Sequence, residues 1–369
     1  MSVRKIAVDA RMIKNSGIGT VLSNVLARWI QSDRETCFYL LGDPAVLERF
    51  HWAHGECVEI VPCKVPIYSV REQFVLPRVI PAGADLLWVP HYNIPIFYRG
   101  RLLVTVHDVF HLDMAHLVPG LHRRLYAKFM FAAVAARADK IICVSQFTEK
   151  RLRYFEPGLQ EQKTCVIYNG VDDYWKHPSF HQESLHRPYL LFVGNVKPHK
   201  NLPRLVAAFS EIKDKIPHDL VIVGKEEGFI VGDNKVKKIA DSLKERIRFT
   251  GYISDEELRS LYAGAALFVF PTLYEGFGLP PLEAVAAGCR SLLLSDIPVL
   301  HEIYGTSAIY ADPYDEVALA EGIITAVSAA PMAESLAIRL VNRFSWQAAA
   351  DEIKAVAEAC ALGCVDELT

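Results

Sequence analysis

Residues 267–288 read LFVFPTLYEGFGLPPLEAVAAG. Leu267–Phe270 is a short run of bulky apolar side chains that stops at Pro271, the pattern of a strand buried on both faces. A helix is expected to start near Leu279, because Pro280 and Pro281 suit a first turn and no interior. Between strand and helix, Gly276 and Gly278 leave an open loop that can turn backbone N–H groups toward ligand oxygens. Glu275 lies in that loop and Glu283 one turn inside the helix. Carboxylates accept hydrogen bonds from sugar or ribose hydroxyls, and both acids can project toward the same crevice. A plain helix start would not need two glycines, two prolines and flanking acids together.

Outward from this segment the chain alternates short apolar runs with amphipathic ones. In the first half the strand candidates are Lys5–Asp9, Cys37–Leu41, Val58–Pro62, Leu86–Val89, Leu102–Val106 and Lys140–Val144. Val21, Leu22, Val25, Leu26, Trp29 and Ile30 fall on one face at helical spacing. Residues 168–188, rich in Gly, Pro, His and Ser, read as a linker. A second series follows: Tyr189–Val193, Asp219–Val223, Ile247–Thr250, Leu267–Phe270, Ser291–Leu294 and Ala308–Tyr310. The pattern predicts an α/β protein of two doubly wound, Rossmann-like domains, residues 1–175 and 186–345. Residues 346–369 are expected to form a C-terminal helix, with Ser345 the candidate N-cap. In such sheets ligands sit outside the carboxyl ends of the strands.

Composition narrows the function. The 369 residues carry 40 Lys+Arg against 43 Asp+Glu, a formal charge of −3, which argues against a global grip on nucleic acid. Hydrophobic residues make up 51% and charged ones 22%, as in a globular chain. The eight cysteines include Cys360 and Cys364 but no second close pair of metal-like spacing, so they read as small buried hydrophobes in a reducing compartment. MSVRKIAVDA enters a strand directly, without a signal-peptide core, and no apolar run is long enough to span a bilayer. The expected location is cytoplasmic, or peripheral at the inner face of a membrane.

Three further segments sit where chemistry is expected. After the first strand, Gly17 and Gly19 precede a helix; Leu22 stands where a third fingerprint glycine belongs, so a strand-to-helix turn and an anion loop both stay open. His107 and Asp108 follow Leu102–Val106, where a histidine is placed to contact substrate. Lys200, with Lys197 and His199 nearby, lies in a Gly- and Pro-containing loop before a helix at Leu202, a natural counter-charge for phosphate. After the sixth strand Ser145 or Thr148 caps a helix.

Taken in order, these segments resemble retaining GT-B glycosyltransferases of family 4. EGFGLPPLEA, with Glu275 and Glu283 separated by seven residues, resembles the family's E-x7-E motif. DARMIKNSGIGT resembles its glycine loop, TVHD its His-Asp segment, VGNVKPHKN its lysine loop, YNGVD its interdomain linker, GYISDEEL its nucleotide-base loop and SDIPVLHE the loop after the next strand. The resemblance covers essentially the whole chain. It implies two Rossmann-like domains facing a central cleft, with acceptor on the first and nucleotide-sugar donor on the second. It implies that Lys200 neutralises the donor diphosphate and Glu283 holds the ribose hydroxyls. Glu275 and the N–H groups of Phe277, Gly278 and Leu279 would hold the sugar. Gly17 and Gly19 would approach the diphosphate, His107 would lie beside the transferred sugar, and Ile253 would contact the base. His107 and Glu275 are thus the catalytic candidates. No metal and no cofactor are implied, the donor being a substrate. One position departs from the pattern: many members carry an arginine where this chain has Asn195, which leaves the charge to Lys200, alone or with His199 or Lys197.

The resemblance implies hexosyl transfer, with mannose from GDP-mannose the donor suggested by the DAR…GIG, PHKN and SDIPVLHE segments. The acceptor would be a glycan or lipid-linked saccharide of surface-polysaccharide or exopolysaccharide assembly. UDP-, dTDP- and other GDP-sugars stay open, as does a sugar-nucleotide 2-epimerase of the same fold. An inverting transferase fits the Glu275, Glu283 and Lys200 set less well. A nicotinamide dehydrogenase would want the missing third glycine. A non-catalytic sugar-nucleotide-binding subunit would not need Glu275, Lys200 and His107 together. In the 121–140 region, His122, Arg123, Arg124 and Lys128 flank apolar residues. This fits contact with anionic lipid, but a core-packed helix with a solvated basic face is the favoured reading.

Overall fold

The computed structural model describes residues 4–176, 187–194, 197–224 and 243–363. The chain divides into two compact units. One runs to Gly170 and resumes at Ser345; the other is Val171–Phe344.

The first unit holds a seven-stranded, all-parallel sheet in the order β3-β2-β1-β4-β5-β6-β7. Its strands are β1 (Arg4–Asp9), β2 (Thr36–Gly42), β3 (Val58–Pro62), β4 (Leu86–Val89), β5 (Leu102–Val106), β6 (Lys140–Cys143) and β7 (Thr164–Val166). β4, β5 and β6 are buried along their whole length, as strands covered by helices on both faces must be. The strand order reverses between β1 and β4, which places the ligand crevice of this sheet at their carboxyl ends.

The helix Ser16–Ser32 buries Val21, Leu22, Val25, Leu26 and Trp29. The C-terminal helix Trp346–Leu362 covers it, tied by Lys354 to Asp33 at 3.2 Å and by Arg4 to Glu358 at 2.8 Å. That helix belongs to the first unit. Ser345 caps it, accepting from the N–H groups of Gln347 and Ala348.

The second unit repeats the plan with six parallel strands in the order β10-β9-β8-β11-β12-β13. They are β8 (Tyr189–Val193), β9 (Asp219–Val223), β10 (Ile247–Gly251), β11 (Leu267–Phe270), β12 (Leu292–Ser295) and β13 (Ile309–Ala311). The reversal falls between β8 and β11. One face of the sheet is sealed by Leu205, Val206 and Phe209 of the helix Leu202–Ile212, with Leu319 and Ile323 of the helix Glu316–Ser328.

Part of the expected linker is ordered structure. Asp173–Lys176 forms a 3₁₀ turn, and Trp175 packs edge-on against buried Tyr262 at 5.6 Å. A seventh strand, β7, is present where the sequence showed none. Asn195 lies outside the described residues.

Candidate active site

In the second unit two loops meet at the switch point. The first follows β8. Asn201 ends it in the left-handed region, at φ 59°, a conformation asparagine tolerates better than most residues. Its buried side-chain amide donates to the carbonyls of Pro271, at 2.9 Å, and Pro313, at 2.6 Å. Its Oδ1 accepts from Arg204 at 2.9 Å. One side chain thus pins the loops after β8, β11 and β13 to each other. The carbonyl of His199 adds two bonds, from Leu273 N at 2.7 Å and Thr272 Oγ1 at 3.1 Å.

This clamp brings Lys200 to Glu275. Lys200 Nζ lies 2.5 Å from Glu275 Oε1 and 5.1 Å above the Phe270 ring. Thr272 Oγ1 lies 2.9 Å from the same oxygen, its single proton shared between the Glu275 carboxylate and the His199 carbonyl. The two charged side chains are only about 15% exposed, so the pair is held in a partly dehydrated place where its attraction is strengthened. Both bonds fall on Oε1; among the described residues Oε2 receives none, which leaves it to accept from a ligand hydroxyl.

The helix Leu279–Ala286 starts beside this pair. Its N-cap, Gly278, sits at φ +88°, and a Cβ there would meet Leu300 at 2.9 Å. Tyr304, wholly buried, donates its hydroxyl to the Gly278 carbonyl and fixes the turn. No side chain caps the helix. Pro280 and Pro281 carry no N–H, so the helix start presents the amides of Gly278 and Leu279, with the positive end of the helix dipole behind them. Phe277 is buried against Phe344, ring centroids 5.4 Å apart.

Glu283 lies on the same helix, and Tyr262 donates to its Oε2 at 3.3 Å. Burial pushes its carboxyl up to about 7, against the opposing pull of the Tyr262 hydrogen bond. Ile253 is half-buried, one residue before Ser254, which caps the helix Asp255–Gly264 through a reciprocal pair of bonds with Glu257. Glu275, Lys200, Gly278 and Leu279 are therefore gathered at one switch point. Glu283 is one turn along the same helix, and Ile253 precedes the helix that carries Tyr262.

The residues expected from the first unit are placed separately. His107 follows β5. Its Nε2 lies 2.9 Å from the Pro90 carbonyl, which can only accept, so Nε2 carries the proton and Nδ1 is left as an acceptor. Burial lowers its pKa and favours the neutral ring. A Cβ on Gly17 would meet open space, whereas one on Gly19 would lie 2.2 Å from the Ile13 carbonyl oxygen. Gly19 is accordingly required by the backbone of its own loop, a packing reason the sequence reading did not give.

A cluster that the sequence reading missed occupies this unit's switch point. Arg11 donates through Nε to Asp9 at 2.7 Å and through Nη2 to Asp9 and Glu72, each at 2.5 Å. His91 Nε2 meets Asp9 at 3.3 Å, and Asn93 donates to Glu72 at 2.7 Å. Asp9 and Glu72 are fully buried and Arg11 nearly so. Arg11 and His91 hold the Asp9 carboxyl far below the usual carboxylate range, although burial opposes them. The available signal was DAR, an acid closing an apolar strand with a base two residues on. Glu72 and His91, 61 and 82 residues away from their partners, gave none.

Among the described residues no group of three or more His, Cys, Asp or Glu side chains is gathered in a metal-binding arrangement. Nor is any described helix long and apolar enough to cross a membrane.

Two doubly wound parallel sheets, each with a charged cluster at its switch point, define a GT-B type α/β protein. HepE of Anabaena, solved with UDP and glucose, superposes with a TM-score of 0.76 at 18% identity over 96% of this chain and 100% of that one. Sucrose-phosphate synthase of Thermosynechococcus elongatus gives 0.71 at 19% over 96% and 98%. Sequence models place the family: Glycosyltransferase Family 4 matches residues 15–174 and Glycosyl transferases group 1 matches 173–339. The chain belongs to these family 4, GT-B glycosyltransferases. It is 30% identical over 234 residues to the O-antigen chain mannosyltransferase RfbU of Salmonella typhimurium, covering 63% of this chain and 62% of RfbU. It is 27% identical over 273 residues to the O-antigen chain mannosyltransferase B of Escherichia coli, covering 69% and 71%. The match thus spans about three fifths of the first of these relatives and seven tenths of the second.

Proposed function

We propose that the protein is a retaining hexosyltransferase that moves mannose from GDP-mannose to a glycan or lipid-linked saccharide in surface-polysaccharide assembly, at the cytoplasmic side. The observation that carries the transfer reading is the Lys200–Glu275 pair set against the uncapped helix start at Gly278. The mannosyl donor and polysaccharide product rest on the likeness to the two O-antigen mannosyltransferases.

The reaction develops oxocarbenium character at the sugar and negative charge on the departing diphosphate. In this reading Lys200 and the amides of Gly278 and Leu279 meet that negative charge, where one such donor contributes about 10²–10³ in rate. Glu275 Oε2 accepts from the sugar hydroxyls, and its charge lies close to the cationic sugar. Glu283 accepts from the ribose, and Ile253 covers the base. His107, a neutral ring with Nδ1 as acceptor, takes a hydroxyl of the transferred sugar, while Gly17 gives the diphosphate room to approach. The leaving phosphate takes the acceptor proton in a same-face substitution, so no side chain serves as general base. Lys200 and the amides supply the charge that a metal would otherwise bring.

The test is a thermal-shift titration with GDP, UDP, dTDP, CDP, their common sugar conjugates and NAD, followed by transfer from the stabilising donor and NMR of the product anomer. At 100 times its dissociation constant a ligand adds about 2.7 kcal/mol. Selective stabilisation by GDP and GDP-mannose, with an α-linked product, supports the proposal. Stabilisation by UDP or dTDP replaces the donor, a β-linked product removes retention, and stabilisation by NAD alone removes the function.

A further inference from the structure

The second unit begins at Val171, and the chain at once forms the 3₁₀ turn Asp173–Lys176, which packs against the helix Leu279–Ala286. Asp172 holds the turn closed. Its side chain accepts from the N–H of Tyr174 at 2.9 Å, and its carbonyl from that of Trp175 at 3.1 Å. Arg259 ties the turn to the helix Asp255–Gly264. It donates to the Tyr174 carbonyl at 2.9 Å, with its guanidinium 4.3 Å from the Tyr174 ring centre. Arg259 and Tyr262 stand three residues apart, so they share one face of that helix.

Tyr262 is wholly buried and meets two rings at 5.6 Å each, Trp175 of the turn and Phe268 of β11. Phe268 is itself wholly buried and is held by the strand hydrogen bonds of the sheet. Trp175 is half-buried and belongs to a single turn outside the sheet. Of the two walls against the Tyr262 ring, Trp175 is therefore the one that can be changed without touching the core.

A buried hydroxyl needs a partner, and that of Tyr262 has Glu283 Oε2. Their separation of 3.3 Å is longer than the ~2.7–2.8 Å usual between a hydroxyl and an oxygen acceptor, so a small displacement of the ring makes or breaks the bond. Among the described residues Glu283 Oε1 receives no hydrogen bond. The orientation of the carboxyl thus hangs on the position of one ring, and that ring leans on Trp175.

We propose that Trp175 is a positioning residue of the donor site: its ring sets Tyr262, and the Tyr262 hydroxyl holds the Glu283 carboxyl ready to accept from the hydroxyls of a ribose. The inference rests on the reading that Glu283 receives the ribose. Its test compares calorimetric affinities for GDP and UDP, for the 2′,3′-dideoxy form of each, and for inorganic pyrophosphate. Wild type should bind the better of the two nucleotides about ten-fold more tightly than its dideoxy form. Tyr262→Phe, which removes only the hydroxyl, and Trp175→Leu, which removes the ring, should each cut that preference to about two-fold. Trp175→Phe, which keeps a ring, should retain it. Trp175→Leu/Tyr262→Phe should lose no more than either change alone, as residues acting along one path do. Pyrophosphate affinity should stay near wild type in all four variants. Wild-type preference in Tyr262→Phe or Trp175→Leu would overturn the proposal while the ribose reading stands. So would additive losses in the double variant, or an equal loss for nucleotide, dideoxynucleotide and pyrophosphate, the mark of disturbed packing alone. A wild type that shows no preference, or that binds neither nucleotide, would overturn the ribose reading and the proposal with it.

Discussion

Lys200 and Glu275, 75 residues apart in the chain, are 2.5 Å apart in space, each one loop beyond the end of a strand flanking the reversal of the sheet. Their burial makes the pair sensitive to single mutation, because removing either partner strands the other charge.

Lys200→Met should lower diphosphate affinity, with a fall of about ten-fold or more in GDP binding by calorimetry. Glu275→Gln keeps the size of the side chain and one acceptor but removes the charge. It should leave GDP binding near wild type while turnover falls about 100-fold. Equal loss of binding in both variants would show that the pair acts only as a structural clamp.

Glu283 imposes a pH dependence on stability. Its carboxyl titrates near 7 in the folded protein and near the ordinary 4.5 in the unfolded chain. Between those values the folded state holds the extra proton, so this group's contribution falls as pH rises from 4.5 to 7 and stays unfavourable above. Glu283→Gln, neutral throughout, should therefore gain melting temperature over wild type as pH is raised from 5 to 8. A difference in melting temperature that does not change across that range would refute the raised carboxyl.

Arg11 is ion-paired with two fully buried carboxylates. Arg11→Leu should cost about 3–5 kcal/mol in denaturant unfolding, because Asp9 and Glu72 then lack their cation. The loss should shrink toward acid pH as the Asp9 carboxyl, no longer held down by Arg11, protonates, and a pH-independent loss would point to packing alone.

The two glycines before the helix Ser16–Ser32 should separate. Gly19→Ala sets a methyl against the Ile13 carbonyl and should lower the melting temperature by several degrees. Gly17→Ala meets open space and should leave it unchanged. If Gly17→Ala nevertheless weakens nucleotide-sugar binding, the open side of that turn is a ligand surface.

The parallel strands were legible because burial on both faces leaves an unbroken apolar run, as in Leu86–Val89 and Leu102–Val106, whose limits agree with the structure. β7 was not, since three residues, Thr164–Val166, carry no period. The helix start at Leu279 was readable because proline and glycine dictate backbone geometry locally. Asn201 stood in a recognised segment, but its role depends on two carbonyls 70 and 112 residues away. The Asp9–Arg11–Glu72–His91 cluster was hidden for the same reason. Single polar residues on separate elements have no spacing, and only the sheet order brings them together.

The return of the chain at Ser345 has a consequence for biosynthesis. Val171 donates to the Phe344 carbonyl at 3.1 Å, where the outgoing and returning segments run side by side. The second unit is one continuous stretch, whereas the first is split in sequence. On the ribosome the apolar stripe of the helix Ser16–Ser32 must wait for the helix Trp346–Leu362, made more than three hundred residues later, before its cover is complete. The later-made unit can close first, inverting the usual N-to-C order of domain completion. Premature termination after Phe344 would leave a finished second unit attached to an open, aggregation-prone first.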